Sequence, residues 1–449
     1  MGRLFGTDGV RGVANVELTN ELAYKLGRFG AHVLTENKDK AKILIAKDTR
    51  VSGDMLESAM ISGILSAGCD VIKIGVLPTP AVAYLVRHLD VDAGVMISAS
   101  HNPVEYNGIK FFDNNGFKLP DAVEEKIEDY ILNDKDLEHN PSGTELGRKT
   151  EVFRAMDLYA DYVKSTIDVN FEGIKIAVDA ANGAAYEVAR KTLKDLGAEV
   201  TCIHSEPDGF NINAGCGSTH PEMVAAEVIL QKADIGLAFD GDADRLIAVD
   251  ETGKIVDGDK IMAICGTHMK TKGKLNNDTI VATVMSNLGL DIAMQGEAVK
   301  LEKTRVGDRY VLEAMKAGKH SLGGEQSGHI IFLDHNTTGD GLLTAVQLIN
   351  VMKETGKKLS ELASIMDTYP QVLKNAKVTN SKKHDYTSDD VIIKRIAEVE
   401  KHFSGQGRVL IRPSGTEPLV RVMIEGKDQS ELNQFAEELV GLIEERLGR

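Results

Sequence analysis

Three aspartates recur at every second position directly after an apolar run, in the stretch ADIGLAFDGDADRLIAVD: Asp240, Asp242 and Asp244. Gly241 gives the backbone between the first two the freedom to turn. Carboxylates crowded into one loop repel one another unless a cation neutralises them, and hard divalent cations prefer oxygen ligands. An EF-hand is excluded because Arg245 occupies its glycine position and both flanks have strand character. The spacing predicts a metal site, with Mg²⁺ favoured if the site also handles phosphate, and leaves a solvated acidic turn as the alternative.

A second polar group lies in RVLIRPSGTEPLVRVMIEG, where one turn joins two apolar, strand-like runs. Two guanidinium groups, two hydroxyls and a glycine amide surround this turn: Arg412, Ser414, Gly415, Thr416 and Arg421. Arginine forks and backbone N–H groups match the oxygens of a phosphate, and no Walker motif occurs elsewhere in the chain. The turn is therefore predicted to bind phosphate, with an ordinary hairpin carrying surface arginines as the alternative.

A third stretch, GGEQSGHIIF, places Glu325, Gln326, Ser327 and His329 in a glycine-rich turn. Polar groups with several hydrogen-bonding options suit a polyhydroxylated ligand. A loop that merely needs positive φ angles would have a similar sequence, so this alternative stays open.

The stretch GVMISASHNP carries the candidate nucleophile, Ser100, at the predicted end of a strand. In parallel α/β sheets, ligands bind beyond the carboxyl ends of the strands. His101 is interpreted as a turn residue, and the G-x-S-x-G motif of serine hydrolases is absent from the sequence. Ser100 is therefore predicted to accept a phosphoryl group, with Lys110 nearby as a cation or proton carrier. A serine that only bonds the turn is the alternative.

Apolar strand-like runs alternate with helical periodicity through most of the chain, which predicts the α/β class. KILIAK (42–47), VIKIGVL (71–77) and GVMISAS (94–100) are separated by helical stretches, and the pattern resumes at KIAVDA (175–180). The last block, with a final helix over 429–447, has an α+β order. The predicted domains are 1–150, 151–253, 254–368 and 369–449.

The composition limits the classes of function. The 449 residues include 52 basic and 68 acidic side chains, and the net charge of −16 weighs against broad binding to nucleic acid or anionic membrane. Neither an apolar signal core nor a run of about 20 apolar residues occurs, which predicts a cytoplasmic protein. The cysteines lie far apart without a C-x-x-C pair and are predicted to be buried free thiols: Cys69, Cys202, Cys216 and Cys265.

The motifs FGTDGVRG, ISASHNP with NGIKFF, FDGDADR, GEQSGH and RPSGTEPLVR occur in this order and span nearly the whole chain. As an ordered set they resemble the signature loops of the α-D-phosphohexomutases. The resemblance implies three α/β domains with mixed sheets and a C-terminal α+β domain around a central cleft. SASHNP, GCGSTHPE, TVMSNLGL, VGDRY and Gln326 are most similar to the members that act on glucosamine phosphates, whereas phosphomannomutase/phosphoglucomutase relatives typically carry Met at that glutamine.

The resemblance also implies a role for each candidate residue. Ser100 would be a phosphoserine, and Mg²⁺ would be bound by its phosphate and the three aspartates. The substrate's sugar would be held by Glu325 and Ser327, with Arg245 as a further substrate-binding residue. Arg11 and Lys110 would flank the reacting phosphoryl group. Lys110 and His329 are also the candidates for the general acid and base. The non-reacting phosphate would be held by Arg412, Ser414, Gly415, Thr416 and Arg421.

The implied reaction interconverts glucosamine 6-phosphate and glucosamine 1-phosphate, with glucosamine 1,6-bisphosphate as intermediate or activator. The product would supply UDP-N-acetylglucosamine and, in a bacterium, peptidoglycan synthesis. The implied partners are a sugar phosphate and a second copy of the chain, without nucleic acid or membrane. Three alternatives stay open: a phosphomannomutase/phosphoglucomutase, a metal-dependent sugar phosphatase, and a non-catalytic phosphosugar-binding protein.

Overall fold

The computed structural model describes residues 4–6, 8–35, 38, 40–414 and 417–448. The chain forms two compact units, the first from Met1–Met285 and Val299–Ile365, the second from Ser286–Ala298 and Met366–Arg449. The described residues form four sheets, three in the first unit and one in the second.

The first sheet is mixed and carries the Ser100 loop. Its region contains β1 (Val10–Val13), α1 (Asn20–Leu34), β2 (Lys42–Lys47), α2 (Ser52–Ser66), β3 (Asp70–Val76), α3 (Thr79–His88), β4 (Ala93–Ile97), β5 (Tyr106–Asp113), α4 (Asp121–Leu132) and β6 (Lys149–Glu151). The strand order is β1-β5-β4-β2-β3-β6, with β2 parallel to β3 and β4, and β5 antiparallel to β4 and β1. Every residue of β4 is buried, as expected of a central strand covered on both faces.

The strand before the candidate nucleophile is shorter than the sequence predicts, because β4 ends at Ile97 and not at Ser100. The backbone of Ser100 has a φ of 51°, in the left-handed region, so a strand cannot continue through this residue. The antiparallel partner strand β5 places Lys110 opposite Met96, near the end of β4. Strand β1 then places Arg11 opposite Gly108.

The second sheet carries the three aspartates. Its region contains α5 (Ala155–Lys164), β7 (Lys175–Asp179), α6 (Val188–Asp195), β8 (Glu199–Ile203), α7 (Glu222–Gln231), β9 (Ile235–Phe239), β10 (Leu246–Asp250) and β11 (Ile255–Val256). The order is β11-β10-β9-β7-β8, and the antiparallel pair β9–β10 brings Phe239 opposite Leu246. The aspartates therefore lie in a tight hairpin loop between two fully buried strands, which agrees with the exclusion of an EF-hand.

The third sheet carries the GEQSGH loop. Its region contains α8 (Gly258–Thr271), β12 (Thr279–Thr283), β13 (Lys300–Thr304), α10 (Asp308–Gly318), β14 (Leu322–Gly324), β15 (Ile330–Phe332), α11 (Gly341–Thr355) and α12 (Leu359–Ala363), while α9 (Leu288–Gly296) belongs to the second unit. The order is β13-β12-β14-β15, and the loop connects the antiparallel strands β14 and β15.

The second unit is built on an antiparallel sheet of order β16-β18-β17. Besides α9 it contains β16 (Gln371–Lys377), α13 (Asp390–His402), β17 (Arg408–Pro413), β18 (Leu419–Glu425) and α14 (Gln429–Leu447). Helix α14 begins where the Asp428 carboxylate accepts the N–H groups of Ser430 and Glu431, and it covers the predicted range 429–447. The predicted fold class is confirmed: three mixed α/β sheets and a C-terminal α+β unit. The four domain ranges and the central cleft stay predictions.

Two expectations from composition can be compared with the described residues. Among them, no helix combines the length and the apolar character needed to cross a bilayer. All four cysteines are free, as predicted, but Cys202 is only half-buried whereas Cys69, Cys216 and Cys265 are buried.

Candidate active site

Ser100 lies against the first aspartate of the triad. Its hydroxyl donates to Asp240 Oδ2 at 2.6 Å, and both side chains are buried. The left-handed backbone of Ser100 turns the residue out of the line of β4 and toward the β9–β10 loop. A Cβ at Gly241 would lie 2.5 Å from the carbonyl oxygen of Ser100, so only glycine permits this approach of the two loops.

A buried arginine that the sequence analysis missed holds the Ser100 loop. Arg50 bonds Asp48 Oδ2 through Nε at 2.9 Å, and its Nη2 donates to the carbonyl oxygens of Ser100 at 2.9 Å and Asn102 at 2.8 Å. From the second sheet's region, Asn213 Nδ2 donates to the same two oxygens at 2.9 and 3.1 Å. No local pattern marks Arg50 as a site residue, because the carbonyl groups of the Ser100 loop that it bonds lie about fifty residues away along the chain.

The aspartate triad has the donor set of a hard-cation site. One carboxylate oxygen from each of Asp240, Asp242 and Asp244 lies within 4.8 Å of the others, and all three residues are buried. Thr79 fixes the middle carboxylate by donating from Oγ1 to Asp242 Oδ2 at 2.6 Å. The buried Oδ1 atoms of Asp242 and Asp244 have no hydrogen-bond partner. Burial, together with Asp244 and Asp242, raises the pKa of Asp240 well above its usual value. These oxygens fit a divalent cation such as Mg²⁺.

Lys110 is buried beside the triad as a permanent cation. Its Nζ lies 2.9 Å from Asp242 Oδ2, 3.0 Å from Asp8 Oδ2 and 3.7 Å from Asp244 Oδ2. Burial by itself would lower the pKa of Lys110, but these three carboxylates outweigh it and hold the pKa above its ordinary value. Lys110 therefore stays protonated and suits the stabilisation of negative charge, not the acceptance of a proton.

Lys110 belongs to a closed ring of alternating charges. Around the ring, Lys118 contacts Asp8 and lies 2.5 Å from Asp308 Oδ2, while His329 lies 3.7 Å from Asp308 and 3.5 Å from Asp244. Burial lowers the pKa of His329, but Asp244 and then Asp308 raise it above its ordinary value overall. The sequence analysis missed Asp8, Lys118 and Asp308 as site residues. The quoted motifs FGTDGVRG and VGDRY contain the two aspartates, whereas nothing local marks Lys118.

Two predicted cations and one neglected histidine complete the surroundings of Ser100. Arg11 pairs with Asp8, and the Arg245 backbone N–H donates to Asp240 Oδ1 at 3.2 Å. His101 Nδ1 lies 3.3 Å from the Ser100 hydroxyl. Burial, with the positive charges of Arg245 and Arg11, lowers the pKa of His101, so the ring is neutral near pH 7. A neutral imidazole at this position can accept a proton, a capacity that the interpretation as a turn residue overlooked.

The GEQSGH loop is attached directly to the aspartate loop. Leu246 N–H donates to the Gly328 carbonyl at 3.0 Å, and a Cβ at Gly328 would lie 2.2 Å from the Leu246 carbonyl oxygen. Glu325 Oε1 accepts the Gly307 N–H at 3.2 Å, and Ser327 is exposed. The loop thus requires glycine and also exposes polar groups. A sugar-binding loop and a loop that needs positive φ angles are therefore compatible interpretations.

The predicted phosphate turn forms the β17–β18 hairpin of the second unit. Arg412 and Arg421 are directly opposite each other in register, and burial together with Arg421 lowers the pKa of Arg412. Ser414 Oγ accepts the Glu417 N–H at 3.2 Å, and Lys383 Nζ donates to the Ser414 carbonyl at 3.1 Å. Facing guanidinium groups repel each other, which favours an anion between them. Gly415 and Thr416 lie outside the described residues.

Comparison with known proteins agrees with this geometry. Four family models, described as domains I, II, III and the C-terminal domain of phosphoglucomutase/phosphomannomutase, match residues 2–138, 157–253, 257–369 and 373–442. The chain is 63% identical over 448 residues to the phosphoglucosamine mutase of Alkaliphilus oremlandii, which covers 100% of both chains. The chain belongs to the phosphoglucomutase/phosphomannomutase family.

Solved structures of phosphoglucomutase/phosphomannomutase relatives share the fold. A family protein from Burkholderia thailandensis aligns over 98% of this chain and 97% of its own, with a TM-score of 0.81 and 23% identity. The N-acetylphosphoglucosamine mutase of Aspergillus fumigatus, solved with GlcNAc-6P and magnesium, aligns over 98% and 95% with a TM-score of 0.66 and 17% identity. At these identities the likeness concerns the fold alone.

Proposed function

We propose that the protein is a phosphoglucosamine mutase, which interconverts glucosamine 6-phosphate and glucosamine 1-phosphate through a phosphoserine at Ser100. The observation that carries this proposal is the 2.6 Å hydrogen bond between the Ser100 hydroxyl and Asp240, inside a triad with unsatisfied carboxylate oxygens. The phosphoglucosamine mutases among the relatives, identical at about six positions in ten, support the choice of substrate.

Each half-reaction moves one phosphoryl group. A hydroxyl oxygen of the sugar phosphate bonds to the phosphorus on Ser100 and passes its proton to a base, while the bond from phosphorus to Ser100 Oγ breaks and Oγ takes a proton from an acid. The sugar is then a 1,6-bisphosphate, and in the reverse sense its other phosphate returns to Ser100. His101 suits the base beside Ser100, and His329, whose pKa Asp244 and Asp308 raise, suits the acid. His329 is kept from the predicted pair, whereas His101 replaces Lys110 in this proposal.

Charge neutralisation comes from groups already in place. Buried Lys110 and the partly exposed Arg11 and Arg245 would supply positive charge to the reacting phosphoryl group. Asp240, Asp242 and Asp244, with the phosphate on Ser100, would hold Mg²⁺, which supplies Lewis-acid stabilisation of the transferring phosphoryl oxygens when bound. Glu325 and Ser327 would bind sugar hydroxyls. A cytoplasmic homodimer that supplies UDP-N-acetylglucosamine synthesis remains part of the proposal.

The nearest alternative is a phosphomannomutase/phosphoglucomutase, and a substrate panel separates the two. Purified protein with Mg²⁺ is assayed on glucosamine, glucose and mannose phosphates, and isomer formation is measured separately from phosphate release. We expect the highest kcat/KM for glucosamine phosphate and little net release of phosphate. Faster turnover of mannose or glucose phosphate would leave the family standing but reject the substrate. Predominant release of phosphate would instead favour a phosphatase.

Substitution of Glu325 tests how the 2-amino group is recognised. If the carboxylate contacts the amine, Glu325→Gln lowers kcat/KM for glucosamine phosphate roughly ten- to a hundredfold more than for glucose phosphate, since one charge-assisted contact contributes about 1.5 to 3 kcal/mol. Steady-state kinetics on both substrates measure the difference. Equal losses would assign Glu325 to hydroxyl groups that both sugars share.

Substitution of Arg421 tests the proposed distal phosphate turn. Arg421→Ala is expected to raise KM about tenfold or more with a smaller fall in kcat, because this turn would hold the phosphate that is not being transferred. Arg421→Lys should restore only part of the affinity, since an ammonium cannot form a bidentate pair. Arg446→Ala is the matched control, because Arg446 pairs with Asp389 on the helical side of the same unit. An unchanged KM in Arg421→Ala would remove the turn from the substrate site.

Substitution of Arg50 tests the support of the nucleophile loop. Arg50→Lys keeps the charge beside Asp48 but cannot bond the several carbonyl groups that Arg50 reaches. We expect kcat to fall roughly ten- to a hundredfold with KM nearly unchanged, because a small displacement of Ser100 harms transfer more than binding. Arg28→Lys, at a partly buried arginine that donates to Ser66, is the control for loss of an arginine fork. Equal changes in kcat and KM, or none, would contradict this positioning role.

A further inference from the structure

A second group of potential metal ligands lies in the second sheet's region, apart from the aspartate triad. Asp179 is the last residue of β7, His204 directly follows β8, and Cys216 lies in the loop before α7. One ligand atom from each of the three lies within 4.8 Å of the others. His204 Nδ1 is 3.0 Å from Asp179 Oδ2. The sequence analysis treated Cys216 only as a buried thiol and did not single out the other two.

The backbone fixes this group as a preformed cluster. The Asp179 carboxylate accepts the N–H of Ala181 at 2.9 Å through Oδ1 and that of Gly217 at 3.0 Å through Oδ2. His204 adopts a φ of 45°, a left-handed conformation that few residues other than glycine take. Asp179 and Cys216 are fully buried, whereas the His204 side chain is 27% exposed. Two of the three ligands, Asp179 and Cys216, are therefore enclosed by the protein, and the third, the His204 imidazole, is partly accessible to solvent.

The three donors differ chemically from those of the triad. Sulfur, imidazole nitrogen and one carboxylate form a mixed, borderline-soft set, which favours Zn²⁺ and related metals over Mg²⁺. We propose that Asp179, His204 and Cys216 form a second cation site, which binds a divalent metal of the Zn²⁺ type. Three protein ligands leave a fourth position for water, and the exposed edge of His204 provides the route of entry.

Metal binding at this cluster exchanges a proton for the cation. The Cys216 sulfur loses its proton to solvent, and His204 binds as a neutral imidazole that keeps one proton on the ring nitrogen not bound to the metal. Burial, with a further contribution from Asp179, raises the pKa of the Cys216 thiol to about 12, so the thiol keeps its proton near neutral pH when no cation is bound. The bound thiolate and carboxylate then neutralise the two charges of the metal.

The proposed site lies close behind the catalytic loops. A Cβ at Gly217 would be 2.4 Å from the carbonyl oxygen of Phe239, the residue before Asp240. The Ala181 carbonyl accepts the N–H of Asn213, whose side chain bonds the Ser100 carbonyl. The two cation sites are thus neighbours in the fold and are separable by ligand chemistry, because the oxygen triad prefers hard cations and the new site prefers softer ones.

Titration with Cd²⁺ in excess Mg²⁺ tests the proposal without using activity. The full-length protein should bind one equivalent of Cd²⁺ with a thiolate-to-metal charge-transfer band in the ultraviolet, and Zn²⁺ should displace it. Cys216→Ser should lose the band. His204→Gln should keep a weakened band with affinity reduced more than about tenfold, since an imidazole ligand is lost. The remaining cysteines supply matched controls, and Cys202→Ser and Cys265→Ser should both behave as wild type.

Thermal unfolding shows whether each variant is folded and whether it binds the metal. Zn²⁺ should raise the Tm of the wild type and of Cys202→Ser, but not that of Cys216→Ser, because only a folded site binds the metal. His204→Gln changes a partly exposed side chain and remains informative if Cys216→Ser unfolds. A wild-type protein without the band, a band that survives in Cys216→Ser, or a band lost in Cys202→Ser would each overturn the proposal.

Discussion

Replacement of Ser100 by alanine is expected to lower kcat by at least about 10³-fold while the fold is retained, because a methyl group cannot accept a phosphoryl group. The side chain is buried and small, and its hydroxyl contacts Asp240 and His101, so its truncation removes little packing. Intact-protein mass spectrometry should find a phosphorylated fraction in the wild type that Ser100→Ala lacks. The two measurements together separate loss of the nucleophile from loss of structure.

Ser98→Ala is the matched control for Ser100→Ala. The Ser98 hydroxyl accepts the Ser100 N–H at 3.0 Å and donates to Asp48 at 2.6 Å, so its loss loosens the same loop without removing the nucleophile. We expect a partial fall in kcat and a retained phosphorylated fraction. Near-normal turnover by Ser100→Ala, or equal losses in both variants, would reject Ser100 as the phosphoryl acceptor.

Local sequence patterns were sufficient for most of the elements. Strand β2 covers the predicted residues 42–47, and the last helix covers 429–447, because each buries a periodic apolar face that the sequence displays. The aspartate loop and the arginine-bearing hairpin were also predictable, since their residues and flanking strands are neighbours along the chain. The end of β4 was wrong by three residues, because the left-handed backbone of Ser100 leaves no trace in hydropathy.

Contacts between distant segments account for what sequence reasoning missed. Arg50 bonds carbonyl groups of the Ser100 loop, and Lys118 bridges Asp8 and Asp308, which is 190 positions away. Such partners meet only after β1, β5 and α10 have taken their places, so a charge in the sequence does not reveal which charge it will face. The same holds for Cys216, whose neighbours are Asp179, at the end of β7, and His204, directly after β8. Residue types are visible in the sequence, whereas their pairings depend on the assembled fold.

Removal of divalent cations is expected to abolish turnover, and Mg²⁺ is expected to restore it. Without a cation, three buried carboxylates face the incoming phosphoryl group, and the resulting repulsion opposes both binding and transfer. Exhaustive chelation followed by a Mg²⁺ titration of kcat measures the requirement. Full activity after chelation would contradict a metal site at the triad.

The triad can also be tested by stability. Mg²⁺ at a hundredfold excess over its Kd should stabilise the wild type by about 2.7 kcal/mol, read as a rise in Tm. Asp242→Asn should lose most of this rise and lower kcat about 10²-fold or more, since a neutral amide binds Mg²⁺ less well than a carboxylate. Asp340→Asn is the control, because Asp340 is a buried carboxylate that accepts the Tyr159 hydroxyl at 2.7 Å and caps α11. That variant is expected to lose stability but to keep the Mg²⁺-dependent rise, because the cation acts on the repelling oxygens of the triad and not on buried charge in general.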